Sequence, residues 1–262
     1  MKSILKKFRK YKVGIALSGG GARGIAHLGV LKALHEADIY PEVISGVSAG
    51  AIAGVYYADG KSPDEILKIF TTHNLFNFVS FSIPRTGLMR ISGLSATLEK
   101  TLNASSFEEL QLPLYVAATD LNEGKLVLFS EGELIHRIVA SSSIPVLFSP
   151  AQIDGKSYVD GGVFQNLPVE PLENYCKKVI GVHVNPHTRV NHFTSLFKIA
   201  ERSLQLTFAT SVEANKQKCD LFIQPDGLWK YRILDVGKAQ EIFDVGYYET
   251  KEMLEQLDKK II

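Results

Sequence analysis

Two short apolar runs that each end in glycine constrain the fold of this chain more than any other feature. Residues 13–17 lead into consecutive glycines at 19–21, and apolar residues at helical spacing follow. A second run over 41–46 leads through Gly-Val-Ser-Ala-Gly into residues 49–58, which are built largely from Ala, Ile and Val. Each unit predicts a buried strand, a tight turn and a helix, which is typical of a parallel sheet covered on both faces.

Further strands and helices alternate along the rest of the chain. Strands are predicted over 113–118, 125–129 and 178–184, and helices around 133–141, 194–216 and 237–258. Ser62 and Glu65 form a capping-box pattern that predicts the start of one more helix. No linker rich in Pro, Gly or Ser and no internal repeat interrupts the sequence. We therefore expect one α/β domain over residues 13–262, a three-layer α/β/α sandwich with a mostly parallel central sheet.

Composition excludes several classes of protein. The 45% hydrophobic and 22% charged residues are near the averages of globular domains, which argues against disorder. Two cysteines, Cys176 and Cys219, are too few for a secreted disulfide framework, so a cytoplasmic location is the expectation. A net charge of +1 argues against nucleic acid as the main partner. The oligomeric state has no signature in the sequence.

The first twelve residues depart from this charge balance. They contain six cations and no acidic residue, namely Lys2, Lys6, Lys7, Arg9, Lys10 and Lys12. No apolar h-region follows, so the segment does not resemble a secretory signal. Two interpretations stay open: a solvated tail, or a peripheral contact with anionic lipid.

Ser48 is the strongest candidate nucleophile. It is the serine of a Gly-x-Ser-x-Gly motif whose glycines are Gly46 and Gly50. Between a strand and a helix this motif forms a sharp turn that exposes the serine hydroxyl at the end of the sheet. The alternative is an ordinary Gly/Ser loop, because the five-residue pattern alone is loose.

The first glycine turn, with Gly19, Gly20, Gly21, Arg23 and Gly24, is a candidate anion site. Consecutive glycines let backbone N–H groups point into one concavity, which suits a dinucleotide pyrophosphate or the oxyanion of an attacked ester. A dinucleotide site expects an acidic residue at the end of the second strand, where this chain has a serine motif instead. The oxyanion interpretation is therefore favoured. Arg23 has two open roles: steering an anionic substrate or holding the turn.

Asp160 is the candidate base. An Asp-Gly turn at residues 154–155 between short apolar runs predicts a β-hairpin, which would deliver Asp160 at its end. Gly161 and Gly162 follow and allow a close approach of the chain. The seven histidines lie in no recognisable motif, and neither they nor the cysteines show metal-ligand spacing. A Ser-His-Asp triad remains the nearest rival arrangement.

These three motifs, in this order, resemble the patatin-like phospholipase family, specifically its small bacterial members. Further segments match the family pattern at 118–121, 140–145 and 160–168. The resemblance is close from residue 13 to about residue 185. It implies a hydrolase of lipid acyl esters, such as a phospholipase A, a lysophospholipase or a carboxylesterase, that needs no metal and no cofactor.

By position, the resemblance makes Ser48 the nucleophile, Asp160 the base and residues 19–24 the oxyanion loop. Two alternatives use the same residues: an acyltransferase or thioesterase, and a regulatory protein with a latent site. Residues 75–94 contain three phenylalanines and two arginines. They are interpreted either as a mobile flap that contacts lipid or as a core-packing loop.

Overall fold

Strands and helices alternate along most of the chain. The computed structural model describes residues 10–72, 92–186, 196–233 and 235–257. The strands of these residues are β1 (Tyr11–Leu17), β2 (Val43–Val47), β3 (Leu114–Asp120), β4 (Lys125–Phe129), β5 (Ala151–Ile153), β6 (Lys156–Asp160), β7 (Cys176–Val182) and β8 (Leu221–Ile223). The α-helices are α1 (Ala26–Glu36), α2 (Ala49–Ala58), α3 (Pro63–Thr72), α4 (Ser92–Thr101), α5 (Ile135–Ser141), α6 (Glu170–Glu173), α7 (Leu196–Lys216) and α8 (Ala239–Gln256).

One mixed sheet contains the described strands. Its order is β5-β6-β3-β2-β1-β7-β8, and β4 pairs additionally with β3. The five strands from β3 to β8 in this order run parallel to one another. Strand β4 and the β5–β6 hairpin are antiparallel. The predicted mostly parallel sheet is thereby confirmed.

Apolar side chains cover both faces of this sheet. In β1, Ile15 and Leu17 belong to the main hydrophobic cluster, whereas Ala16 belongs to a second one. In β2, Ile44 belongs to the main cluster and Val43 to the second one. Because successive side chains of a strand point to opposite faces, the two clusters lie on opposite sides of the sheet. Helices pack against each side, which gives the three layers.

Helix α2 is buried along its whole length. All ten of its residues, from Ala49 to Ala58, are inaccessible or nearly so. Surface helices carry a polar face, whereas α2 has no charged residue and consists of Ala, Gly, Ile, Val and Tyr, as expected of a central helix. Because α2 is fixed inside the core, the residue just before it, Ser48, has a fixed position as well.

Most of the predicted element bounds agree with the structure. Helix α2 has the predicted bounds, and the capping box forms, since the Glu65 N–H donates to Ser62 Oγ (3.3 Å) and the Ser62 N–H donates to Glu65 Oε2 (2.8 Å). The helix predicted directly after the glycines at 19–21 begins instead with a 3-10 turn, Gly21–Ile25. The strand predicted over 178–184 is shifted two residues toward the N-terminus, and β8 is too short to be predicted from its pattern.

Two sequence features fall largely outside the described residues. The basic segment lies mostly in residues 1–9, and residues 75–91 of the 75–94 flap hypothesis also lie outside the described residues. The last residues of that segment begin α4, in which Leu94 is buried.

Candidate active site

Ser48 occupies the turn between β2 and α2. Its backbone has φ 54° and ψ −123°, a strained conformation for a residue with a side chain and one that clusters at functional turns. A Cβ on Gly50 would lie 2.2 Å from the Leu17 carbonyl oxygen, and one on Gly46 would lie 2.6 Å from the Gly50 carbonyl oxygen. Only glycine fits at either position. The predicted strand–turn–helix setting of this motif is therefore confirmed.

A serine outside the motif holds the backbone of Ser48. The Ser48 N–H donates to Ser141 Oγ at 2.9 Å. Ser141 is the last residue of α5 and is fully buried. Ser141 lies in the segment 140–145 that matches the family pattern, but the pattern assigns it no role, because it does not show a contact between residues 93 positions apart.

Asp160 ends the predicted hairpin, as the last residue of β6. Its carboxylate accepts a hydrogen bond from the Gly162 N–H at 2.8 Å. The Asp160 N–H donates to the Ser143 carbonyl (2.9 Å), and Thr119 Oγ1 donates to the Asp160 carbonyl (3.0 Å). These three bonds fix both the backbone and the side chain of Asp160.

Strand register brings Ser48 and Asp160 together. On β3, Ala117 pairs with Val47, the last residue of the parallel strand β2. The next residue, Ala118, pairs with Asp160, the last residue of the antiparallel strand β6. The ends of β2 and β6 therefore meet at adjacent positions of one strand.

The environment of Asp160 changes its proton affinity. The residue is 1% exposed, and this burial raises the pKa of its carboxyl to about 6, because a charged form is disfavoured away from water. Hydrogen bonds with the Ser48 side chain and the Gly162 N–H act in the opposite direction and lower that pKa. Burial has the larger effect.

The first glycine turn lines the same cavity as Ser48 and Asp160. The Gly19 N–H donates to Asn166 Oδ1 (3.2 Å), and the Ala22 N–H donates to the Ile233 carbonyl (2.8 Å). Within the described chain, the N–H groups of Gly20 and Gly21 have no such acceptor. Of the residues proposed for an oxyanion loop, these two therefore carry the available donors.

Arg23 and Gly24 connect this turn to the neighbouring parts of the chain. Arg23 Nε donates to the Tyr231 carbonyl at 2.8 Å, and Arg23 Nη1 donates to Asn185 Oδ1. Of the two roles considered for Arg23, these contacts favour holding the turn. A Cβ on Gly24 would lie 2.4 Å from the Cβ of Ala49, so Gly24 allows the first turn to pack directly against the start of α2.

Gly161 and Gly162 bring the chain after Asp160 close to the sheet and the site. A Cβ on Gly161 would lie 2.4 Å from the Ala117 carbonyl oxygen. Gly162 donates to Asp160, and a Cβ there would lie 3.0 Å from Asp160 Oδ1. The two glycines belong to the 3-10 turn Gly161–Val163 that follows the candidate base.

A cavity of about 570 Å³, its open mouth included, is lined by Ser48, Asp160 and the glycines at 19–21. Asn166, Asn185 and Gln205 also contribute polar groups. The rest of the lining is apolar and consists of Ile144, Pro145, Val146, Leu147, Leu204, Phe208 and Ile233. An apolar wall with a few convergent polar groups is typical of a binding site for a mostly apolar molecule.

Comparison with known proteins identifies the family. A model of the patatin-like phospholipase family matches residues 15–173, more than half of the chain. The chain belongs to the patatin-like phospholipase family. The matched range contains the first glycine turn, Ser48 and Asp160.

Several curated proteins resemble this patatin-like chain. An uncharacterized NTE family protein of Mycobacterium bovis is 35% identical over 164 residues, which cover 62% of this chain and 45% of that protein. Lysophospholipase NTE1 of Kluyveromyces lactis is 29% identical over 281 residues, covering 95% of this chain and 19% of that protein. The neuropathy target esterase sws of Drosophila melanogaster is 27% identical over 285 residues, with 94% and 20% covered. The chain thus spans less than half the length of these relatives.

A solved structure shares the patatin-like fold. VipD from Legionella pneumophila superposes with a TM-score of 0.54 at 17% sequence identity, covering 94% of this chain and 67% of that one. At this identity the likeness concerns the fold alone. It agrees with the α/β sandwich described above.

The histidines described in this patatin-like chain do not line the cavity. His27 is fully buried, its Nε2 lies 2.8 Å from the Ser18 carbonyl oxygen, and burial lowers its pKa to about 4. His35, His136 and His183 do not line the cavity either. The Ser-His-Asp alternative therefore has no support among the histidines that the structure describes. Across residues 10–72, 92–186, 196–233 and 235–257, no group of three or more His, Cys, Asp or Glu could hold a metal ion.

The length and hydropathy of the helices show whether one of them could span a membrane. Within the described part of the chain, no helix is both long enough and apolar enough to cross a bilayer.

Proposed function

We propose that this protein is a serine hydrolase of lipid acyl esters that works through a Ser48–Asp160 dyad and an acyl-serine intermediate. The observation that carries the proposal is the buried Asp160 carboxyl, with its pKa raised to about 6, beside the Ser48 hydroxyl. A carboxylate with that pKa is a better proton acceptor than an ordinary aspartate, and it is still mostly ionised at pH 7.

Acylation begins when Ser48 Oγ attacks the carbonyl carbon of the ester and its proton moves to Asp160. The carbonyl oxygen becomes an oxyanion, which the N–H groups of Gly20 and Gly21 stabilise. In other hydrolases, one such donor contributes about 3–4 kcal/mol. The bond to the leaving alcohol then breaks, the alcohol takes the proton from Asp160, and the acyl group stays on Ser48.

Deacylation repeats the chemistry with water as the nucleophile. Asp160 accepts a proton from the water as its oxygen attacks the acyl carbon. The same N–H groups stabilise the second oxyanion. When this intermediate collapses, Ser48 Oγ leaves and takes the proton back, so the free fatty acid is released and the dyad is restored.

The lipid nature of the substrate has two supports. The wall of the cavity is mostly apolar, as an acyl chain requires. The chain also resembles proteins named lysophospholipases over nearly its whole length.

A fluorophosphonate probe tests the proposal directly, because it phosphonylates only an activated serine. We expect wild-type protein to label and to hydrolyse a short-chain p-nitrophenyl ester, while Ser48→Ala loses both activities. Asp160→Asn should lose ester turnover and retain the wild-type circular dichroism spectrum. Well-folded wild type that fails to label would overturn the proposal in favour of a latent, regulatory site. Transfer of the acyl group to an added alcohol or thiol in place of water would favour an acyltransferase or thioesterase.

A further inference from the structure

Asn166 carries a hydrogen-bond donor that the protein itself does not use. The residue is 1% exposed and lines the candidate site. Its Oδ1 accepts the Gly19 N–H at 3.2 Å. Its Nδ2 is buried and has no hydrogen-bond partner among the described residues.

The contact with Gly19 fixes which way the carboxamide faces. A backbone N–H can only be accepted by the oxygen of the amide, so the NH2 group must point away from Gly19. Buried donors in native proteins almost always have a partner, and an exception calls for an explanation. A ligand oxygen at the site is the simplest one.

Surrounding distances place this carboxamide between the three parts of the site. A Cβ on Gly19 would lie 2.5 Å from Asn166 Oδ1 and 3.2 Å from the Cβ of Ser48. A Cβ on Gly162 would lie 3.0 Å from both Asn166 Oδ1 and Asp160 Oδ1. The side chain therefore lies next to the first turn, the nucleophile and the base. Although Asp160 is this close, its carboxylate accepts no hydrogen bond from Nδ2.

We propose that Asn166 is a catalytic residue whose Nδ2 donates to the substrate oxygen that becomes the oxyanion, adding a third donor to those of Gly20 and Gly21. The inference rests on the proposed hydrolase function. A negatively charged acceptor compensates the burial of a donor better than a neutral one. The donor is therefore most effective in the tetrahedral intermediate, where it lowers the barrier. At the same time Oδ1 keeps the first turn in place by holding Gly19.

Two substitutions separate the donor from the acceptor. Asn166→Ala removes both without adding charge, whereas Asn166→Asp keeps an oxygen for the Gly19 N–H but replaces the donor with a carboxylate that also repels Asp160 and an oxyanion. Asn215→Ala is a matched control, because Asn215 is another buried asparagine, and its Nδ2 donates to the Leu167 carbonyl at 2.8 Å. That control loosens the chain next to Asn166 without touching the cavity.

The measurement is the acylation rate per active site with a soluble p-nitrophenyl ester, together with the binding of a trifluoromethyl ketone. This ketone adds to Ser48 and forms an oxyanion, and the matching secondary alcohol does not. We expect Asn166→Ala and Asn166→Asp to lower kcat about 100- to 1,000-fold with little change in KM. Affinity for the ketone should fall by a similar factor, and affinity for the alcohol should stay. Asn215→Ala should keep the wild-type kcat.

Three results would overturn the inference. Wild-type kcat in Asn166→Asp would mean that the side chain only holds the turn. A shift of the acid limb of the pH profile in Asn166→Ala, with the plateau rate unchanged, would make Asp160 the partner of Nδ2. Wild-type protein that fails to label with a fluorophosphonate would remove the inference together with the proposed function, and that outcome is distinct from the other two.

Discussion

The two glycine-rich turns of this molecule have similar sequences and opposite uses. After β1, the chain stays outside an α-helix until Ala26, and the N–H groups of Gly20 and Gly21 have no acceptor among the residues that the structure describes. After β2, α2 begins at once, and the single residue between strand and helix is Ser48. One turn thus offers backbone donors, and the other offers a side chain.

Glycine serves a different purpose in each turn. Around Ser48, the glycines let α2 pass within contact of the Leu17 backbone, so their function is to allow packing. In the first turn, Gly21 has φ +56° and lies against the Ile233 carbonyl, so its function is to allow the backbone conformation of the turn that carries the candidate donors. We infer that replacing Gly50 in the second turn damages the fold, and that replacing Gly21 in the first turn damages the chemistry.

The strongest test of this difference is Gly50→Ala. The new Cβ would lie 2.2 Å from the Leu17 oxygen and 2.7 Å from the Ser18 oxygen, and neither backbone group can move without disrupting β1. We expect the free energy of unfolding to fall by more than about 3 kcal/mol, or soluble protein to be lost. Urea denaturation measures this change. Gly237→Ala, where no atom lies within 4 Å, should stay close to wild type. Wild-type stability in Gly50→Ala would contradict the packing role.

Gly21→Ala tests the other half of the comparison. Its positive φ disfavours alanine, and the added Cβ would lie 2.4 Å from the Ile233 carbonyl oxygen, so the turn should shift and a donor should be lost. We expect about 100-fold lower esterase turnover with a loss of only about 1–2 kcal/mol in stability. If Gly21→Ala lost as much free energy of unfolding as Gly50→Ala, its lower turnover would follow from unfolding, and the proposed difference between the two turns would be wrong.

The ionisation of Asp160 tests the second turn, because Asp160 is the candidate base for Ser48. Its folded-state pKa of about 6 lies above the ordinary aspartate value, so turnover should rise with pH through about 6 as the base ionises. Stability should change in the opposite direction, because the folded protein binds this proton more tightly than the unfolded chain. The protonated Asp160 carboxyl contributes to the free energy of unfolding below about pH 4, and this contribution is lost as the pH rises through 6.

Asp160→Asn should therefore be more stable than wild type at pH 8, by about 2–3 kcal/mol. The difference should vanish near pH 4. Thermal or urea unfolding of both proteins at several pH values measures it. Equal stability of the two at pH 8 would argue against a raised pKa.

Arg23→Lys has the smallest expected effect and separates the two roles of Arg23. Lysine keeps the positive charge but cannot hold both the Tyr231 carbonyl and Asn185. If Arg23 holds the turn, turnover should fall about 5- to 10-fold for neutral and anionic esters alike, the factor that corresponds to the loss of one ordinary hydrogen bond of about 1 kcal/mol. A selective loss, or none, would instead support steering of an anionic substrate.

The sequence was sufficient to predict those parts of the fold and the site that depend on neighbouring residues. Both strand–turn–helix units and the hairpin that ends at Asp160 follow from short patterns of apolar residues and glycine. The contacts of Ser141 with Ser48 and of Asn166 with Gly19 join distant parts of the chain, and no periodicity encodes them. For the same reason, the contribution of α7 to the cavity through Leu204 and Phe208 could not be predicted.

The register of β3 also has a consequence for how the protein folds. Ser48 and Asp160 are more than a hundred positions apart, and they meet only after β2 and β6 have both paired with β3. Contacts of such long range form slowly, because a large loop must first be closed. We therefore expect partly folded chains, in which β6 has not yet joined the sheet, to carry Ser48 without its base and to be chemically inert. Reactivity toward a phosphonate probe during refolding would then report the final step of assembly.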